Sequence, residues 1–149
     1  MSHNLCRVFV HLVWTTKHRV PMLTPDIERR VWGALRRAAV RHGCGVRAVG
    51  GVEDHVHVLL WLHPTCAIAT VVRAMKAAAS GLARRHLNRS LPWQRGYGAF
   101  PVGPRQKHRV ERYIDTQREH HAHGTTIRAL ERVPIDDDAS HALDAGVTG

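Results

Sequence analysis

The chain has only three cysteines in 149 residues, Cys6, Cys44 and Cys66, widely spaced and in no paired motif. That scarcity argues against both a disulfide framework and a cysteine-built zinc site, and predicts buried free thiols. Long hydrophobic runs are also missing. Arg, His or Gly interrupts every apolar stretch well short of the roughly 20 residues a membrane helix needs, so no transmembrane helix is expected. The opening residues, Met1-Ser2-His3-Asn4-Leu5-Cys6-Arg7, lack the basic-then-apolar order of a secretory signal, and the expected location is the cytoplasm. No glycine-rich phosphate cradle occurs, so no nucleotide cofactor is expected. The length allows one compact domain and is too short for two of ordinary size.

Acidic residues are few, 12 against 22 lysines and arginines, for a formal charge of +10. They are also unevenly placed. Residues 131–149 hold Glu131, Asp136, Asp137, Asp138 and Asp144 against Arg132, a net of −4, which leaves the preceding body at +14. A field of that sign suits a polyanion, because Lys and Arg facing phosphates release condensed counterions and speed encounter. Nucleic acid fits better than a membrane surface, since the basic residues are spread over several elements and do not decorate one amphipathic helix. A merely solubilising surface has the same composition. The domain is read as residues 1–130, followed by an acidic tail, 131–149, with little to bury and expected to be disordered.

Val8 to Thr15 is rich in β-branched and aromatic residues and reads as a buried strand. Thr24-Pro25-Asp26 starts a helix, with a hydroxyl, a proline at the first helical position and acids near the positive end of the dipole. Ile27, Val31, Leu35 and Ala38 form its apolar stripe, arginines fill its outer face, and Gly43 supplies a left-handed stop. Val46 to Val49 reads as a second strand, Gly50-Gly51 as a turn, and Val52 to Leu62 as a third strand. Ala67 to His86 returns to helical spacing, and Ala99 to Val102 is a short edge strand that tolerates Pro101. Pro104 opens a last helix that runs to about His123 and stops at Gly124. The order is that of an α+β ferredoxin-like split βαβ sandwich, an antiparallel sheet with helices on one face, plus a C-terminal helix carrying Tyr113.

Two features carry chemistry. His55-Val56-His57 lies inside a strand, so both imidazoles project from one face and could hold a divalent metal; two strand histidines without any ligand have the same spacing. Tyr113 and Gln117 stand four apart on a helix and share a face, where a phenol and an amide oxygen could meet the histidines. Taken singly, a core tyrosine and a solvated glutamine are the simpler readings of the two. The run His120-His121-Ala122-His123 could bind zinc but reads as a basic helix terminus, and Asp54 could orient an imidazole but reads first as a residue shaping the strand entry.

Taken together, these segments resemble the single-tyrosine transposases of the IS200/IS605 type, with their His-hydrophobe-His motif and tyrosine helix. Val13 to Arg19 and Trp93 to Phe100 also match, in the family's order, over roughly residues 8–123. The resemblance implies that His55, His57 and Gln117 hold Mg2+ or Mn2+. It implies that Tyr113 attacks a scissile phosphate in single-stranded DNA, leaving a 5′-phosphotyrosine and a free 3′-hydroxyl. It further implies recognition of DNA hairpins at element ends and a homodimer with composite active sites, the tyrosine helix serving either protomer's histidines. The composition of Pro101–Pro104, with Gly103, suits a hinge that lets the helix dock in cis or in trans, and suits an ordinary rigid loop equally. Lys17, His18, Arg19, Arg73, Lys76 and Arg84 are the candidate phosphate contacts, and Trp93 and Tyr97 the candidate stacking platforms for unpaired bases. Three alternatives remain open: a domesticated relative acting on repeated chromosomal hairpins, an inactive nucleic-acid-binding regulator, and a zinc-binding structural protein.

Overall fold

The structure, a computed structural model, describes residues 4–124. The acidic tail lies outside the described residues. In chain order the elements are β1 (Phe9–Thr15), α1 (Pro25–Arg41), β2 (Gly45–Val52), β3 (His55–Trp61), α2 (Ile68–His86), β4 (Gly98–Val102), α3 (Lys107–Asp115) and α4 (Gln117–His123). The four strands form one antiparallel sheet in the order β2-β3-β1-β4. This is the ferredoxin-like arrangement read from the sequence, with the two most apolar strands at its centre. Among the described residues no helix is long and apolar enough to cross a membrane.

Strand alternation sorts the sheet into two unlike faces. Val10, Leu12 and Trp14 of β1 and Val56, Val58 and Leu60 of β3 enter the main core, where they meet Ile27, Val31 and Leu35 of α1 and Val71, Val72, Met75 and Ala79 of α2. The opposite face holds a smaller apolar cluster, in which Phe9, Ala48, Leu59 and Val102 meet Val110 and Ile114 of α3. The extra C-terminal segment therefore covers the face that α1 and α2 leave open. At the end of α1, Gly43 takes the left-handed φ of +75° predicted for a helix stop.

Two local expectations are corrected. Gly50 and Gly51 do not form a turn: both lie within β2 and pair with His57 and Val56, and the chain reverses at Glu53-Asp54. Their small size serves packing, because a Cβ at Gly50 would collide with the carbonyl oxygen of Ile114. The last helix is likewise not continuous. Pro104 to Gln106 make a turn, α3 begins at Lys107, and Thr116 separates α3 from α4 with φ −111° and ψ 27°. The Thr116 hydroxyl donates to the Arg112 carbonyl at 2.7 Å, sharing that acceptor with the Thr116 N–H at 3.2 Å, a back-bond of the kind that bends helices.

Candidate active site

The site is built where β3 begins. The turn at Glu53-Asp54 makes His55 the first residue of the strand, and alternation sends His55 and His57 to the face covered by α3 while Val56 enters the main core. Both imidazoles are buried, with ring centroids 5.1 Å apart. The Asp54 carboxylate accepts a hydrogen bond from His55 Nδ1 at 2.7 Å, so Asp54 orients the imidazole, beyond the shaping role expected of it. That bond holds the Asp54 carboxyl below its ordinary range against the opposing effect of burial, and Arg19 at 3.7 Å adds to it.

His57 is gripped from a different element. His11 of β1 places Nε2 2.9 Å from His57 Nδ1, and the two rings stack at 5.1 Å with an interplanar angle of 17°. Both are fully buried. On the other side of His57, the Tyr113 ring stands edge-on at 6.1 Å and 85°. Tyr113 is itself buried, and His120 stacks on its ring at 4.6 Å. The His121 ring lies 4.8 Å from that of His55. The histidine run read as a helix terminus thus folds back onto the site through α4.

Gln117 opens α4 and is 1% exposed. Its Nε2 donates to the Tyr113 carbonyl at 3.2 Å, and its Oε1 is buried without a hydrogen-bond partner among the described residues. It lines a small cavity of about 220 Å³ with Gly50, Gly51 and Ile114, and Gly50 is the strand partner of His57. By donor chemistry, imidazole nitrogens and an amide oxygen are what a divalent ion such as Mn2+ or Mg2+ accepts. Among the described residues no three His, Cys, Asp or Glu side chains form a metal-holding group, so an ion here would depend on Gln117 as a third protein ligand.

Arg118, the next residue, ties this segment to its own chain. Its guanidinium donates to Glu28 of α1 at 2.7 and 3.1 Å, to the Glu53 carboxylate and to the Leu23 carbonyl. The hydrogen bond from Arg118 lowers the Glu53 carboxyl below its ordinary value.

The candidate nucleic-acid contacts fall into two groups. Lys17, His18 and Arg19 form an exposed 3-10 turn directly after β1, and the Trp93–Arg95 loop is bonded to the same strand end through Gln94 N–H to the Thr15 carbonyl. Thr15 pairs with His55, so both segments rim the histidine end of the sheet. Arg73, Lys76 and Trp93 line one groove, and Arg84 lines an adjoining one of about 410 Å³ beside Ser80 and Asn88. Lys76 donates to the carbonyls of Gln94 and Gly96, and burial pushes its amine down to about 8. Trp93 packs edge-on against Trp14 and donates its indole N–H to the Lys76 carbonyl, while Tyr97 packs on the main core. These three side chains hold the loop together whatever else they do.

His11 has no place in the expectations drawn from the sequence, while Asp54, His120 and His121 figure there chiefly as strand-entry and helix-terminus residues. A signal for His11 was present, since it is the lone charged-type side chain inside an otherwise apolar strand. Its partner became visible only with the register, which sets Val13 opposite His57 and leaves His11 on the diagonal.

A sequence model described as "Transposase IS200 like" matches residues 4–117. The ISDra2 transposase TnpA of Deinococcus radiodurans is 28% identical over 116 residues, covering 73% of this chain and 83% of that protein. A crystal structure of a Deinococcus radiodurans R1 protein assigned as a transposase superposes with a TM-score of 0.62 at 25% identity, over 78% of this chain and 95% of that one. A REP-associated tyrosine transposase bound to a REP hairpin shares the fold, with a TM-score of 0.60 at 12% identity over 85% of this chain and 74% of that one.

Proposed function

Because the chain belongs to the IS200-like transposase family, we propose that it cleaves and rejoins single-stranded DNA through Tyr113, recognising hairpins at the ends of a mobile element. The observation that carries this reading is the Tyr113 ring set edge-on against His57, beside His55, in one buried cluster. A tyrosine nucleophile needs a neighbour that can bind the scissile phosphate, and His55, His57 and the amide oxygen of Gln117 supply the donor atoms for a divalent cation. When bound, Mg2+ or Mn2+ would neutralise charge developing on the phosphoryl oxygens.

The Tyr113 oxygen attacks phosphorus, an O–P bond forms, and the bond to the 3′ oxygen breaks. The phenol gives up its proton and the departing 3′ oxygen gains one. The phosphotyrosyl ester conserves the energy of the broken phosphodiester, so attack by another 3′-hydroxyl rejoins strands without a nucleotide cofactor. Packing of Tyr113 between His57 and His120 fixes the direction of its hydroxyl before DNA arrives. Lys17, His18, Arg19, Arg73 and Arg84 are the proposed phosphate contacts, with Lys76 behind the loop that carries Trp93. A homodimer with composite sites belongs to the same reading.

The test is a denaturing gel of the protein with end-labelled single-stranded DNA from the flanks of its own gene, in Mg2+ or EDTA. Wild type should give a metal-dependent protein–DNA band that Tyr113→Phe abolishes, a loss of more than about 10³-fold, while hairpin binding persists because only a hydroxyl is removed. Cleavage by Tyr113→Phe would overturn the assignment. Adducts with repeated chromosomal hairpins, and none with the gene's own flanks, would identify the same chemistry in a domesticated protein.

A further inference from the structure

We propose that His11 is a positioning residue for His57: its Nε2 accepts the Nδ1 proton of His57, locking that imidazole into one tautomer and one ring orientation so that Nε2 serves as the ligand atom. The inference rests on the reading above that His57 acts as a donor beside Tyr113.

Two neutral imidazoles in a 2.9 Å N···N contact must comprise one donor and one acceptor. If His57 is to offer a lone pair at Nε2, its proton must sit on Nδ1, which makes His11 Nε2 the acceptor and puts the His11 proton on Nδ1. Both rings are fully buried, so bulk water does not compete for these atoms. Their near-parallel stacking at 17° adds an orientational restraint, since a ring flip of His57 would turn Cδ2 toward His11 and forfeit the bond. The arrangement also completes a pattern. His55 is held at the same atom, Nδ1, by the Asp54 carboxylate from the β2–β3 turn, whereas His57 is held by an imidazole from β1. Each member of the histidine pair is thus gripped at Nδ1 by its own partner, and in each a ligand role falls to Nε2. Outer partners of this kind set tautomer and ring direction for metal-binding histidines. The acceptors are not equivalent, because a carboxylate polarises His55 more than a neutral ring polarises His57.

The test begins with metal-free, DNA-free protein, uniformly labelled with 15N, and long-range 1H–15N spectra of its imidazoles at neutral pH, assigned with single-histidine variants. His57 should appear as the Nδ1-H tautomer. An Nε2-H His57 in wild type overturns the proposal, and that spectrum needs no variant to fold. His11→Phe keeps a ring in the strand and removes the acceptor. It should leave His57 in mixed tautomers and weaken Mn2+ binding, followed by electron paramagnetic resonance, about tenfold. His11→Gln, which restores an acceptor oxygen, should recover the single tautomer and most of the affinity. An unchanged His57 spectrum and unchanged Mn2+ affinity in His11→Phe would reduce His11 to packing. Failure of the catalytic reading shows elsewhere, as cleavage by Tyr113→Phe, and leaves the tautomer result standing.

Discussion

Neighbouring residues of β3 look onto different chemistry. Val56, Val58 and Leu60 enter a core shared with α1 and α2 that is apolar throughout, while His55, His57 and Leu59 enter a face where a few apolar side chains share space with buried imidazoles, a phenol and an amide. On both faces the β3 side chains from His55 to Leu60 are buried. The difference teaches where the fold keeps its stability and where it keeps its chemistry: close-packed hydrocarbon on one side carries most of the hydrophobic free energy, and the other side can then hold polar groups whose burial is only partly offset by hydrogen bonds.

The sharpest way to test that division is to truncate adjacent leucines. Leu60→Ala should lower unfolding free energy by about 2–5 kcal/mol, read by urea denaturation, with little change in metal dependence of the folded fraction. Leu59→Ala should cost less, near the bottom of that range, because the smaller cluster can collapse around it, yet it should disturb cleavage more by loosening α3. Equal effects of both on stability and activity would erase the comparison. Gly50→Ala probes the seam between β2 and α3. A methyl group facing the Ile114 carbonyl must push the tyrosine helix outward, costing about 1–3 kcal/mol and lowering cleavage far more than the loss of folded protein accounts for.

The smallest effect concerns the tie across the seam. Arg118→Ala should cost about 1 kcal/mol, since its pairs with Glu28 and Glu53 are partly exposed. The acid dependence has a definite sign. Glu53 titrates below its ordinary 4.5 in the folded chain because of Arg118, so its contribution is fully present above about 4.5 and fades as pH falls through the lower folded value. In Arg118→Ala the stability difference from wild type should therefore shrink below pH 4.5, measured by thermal melts across pH 3–6; a constant difference would show that the guanidinium acts through packing alone.

The helix-covered half was legible in the sequence almost residue by residue. Its strands and helices announce themselves by periodicity, and Gly43 and Pro25 act through purely local backbone rules. The other half was legible only as motifs. His55, His57, Tyr113 and Gln117 stood out by spacing, yet Gly50-Gly51 looked like a turn because what excludes a side chain at Gly50 is a helix carbonyl arriving from more than sixty residues away. The break at Thr116 falls where one hydroxyl joins the backbone N–H on the Arg112 carbonyl. His11, His120 and His121 join the site through register and through the resulting bend, neither of which local preference encodes.

Arg118 reaches back to Leu23, Glu28 and Glu53, so the tyrosine segment closes some of the longest loops in the molecule. Synthesis proceeds from the N-terminus, and domains fold as the chain emerges. All four strands and both helices of the main core are encoded by Val102, before α3 is made. A ribosome translating this protein therefore releases every strand of the sheet and both main-core helices while the Tyr113 phenol is still in the exit tunnel.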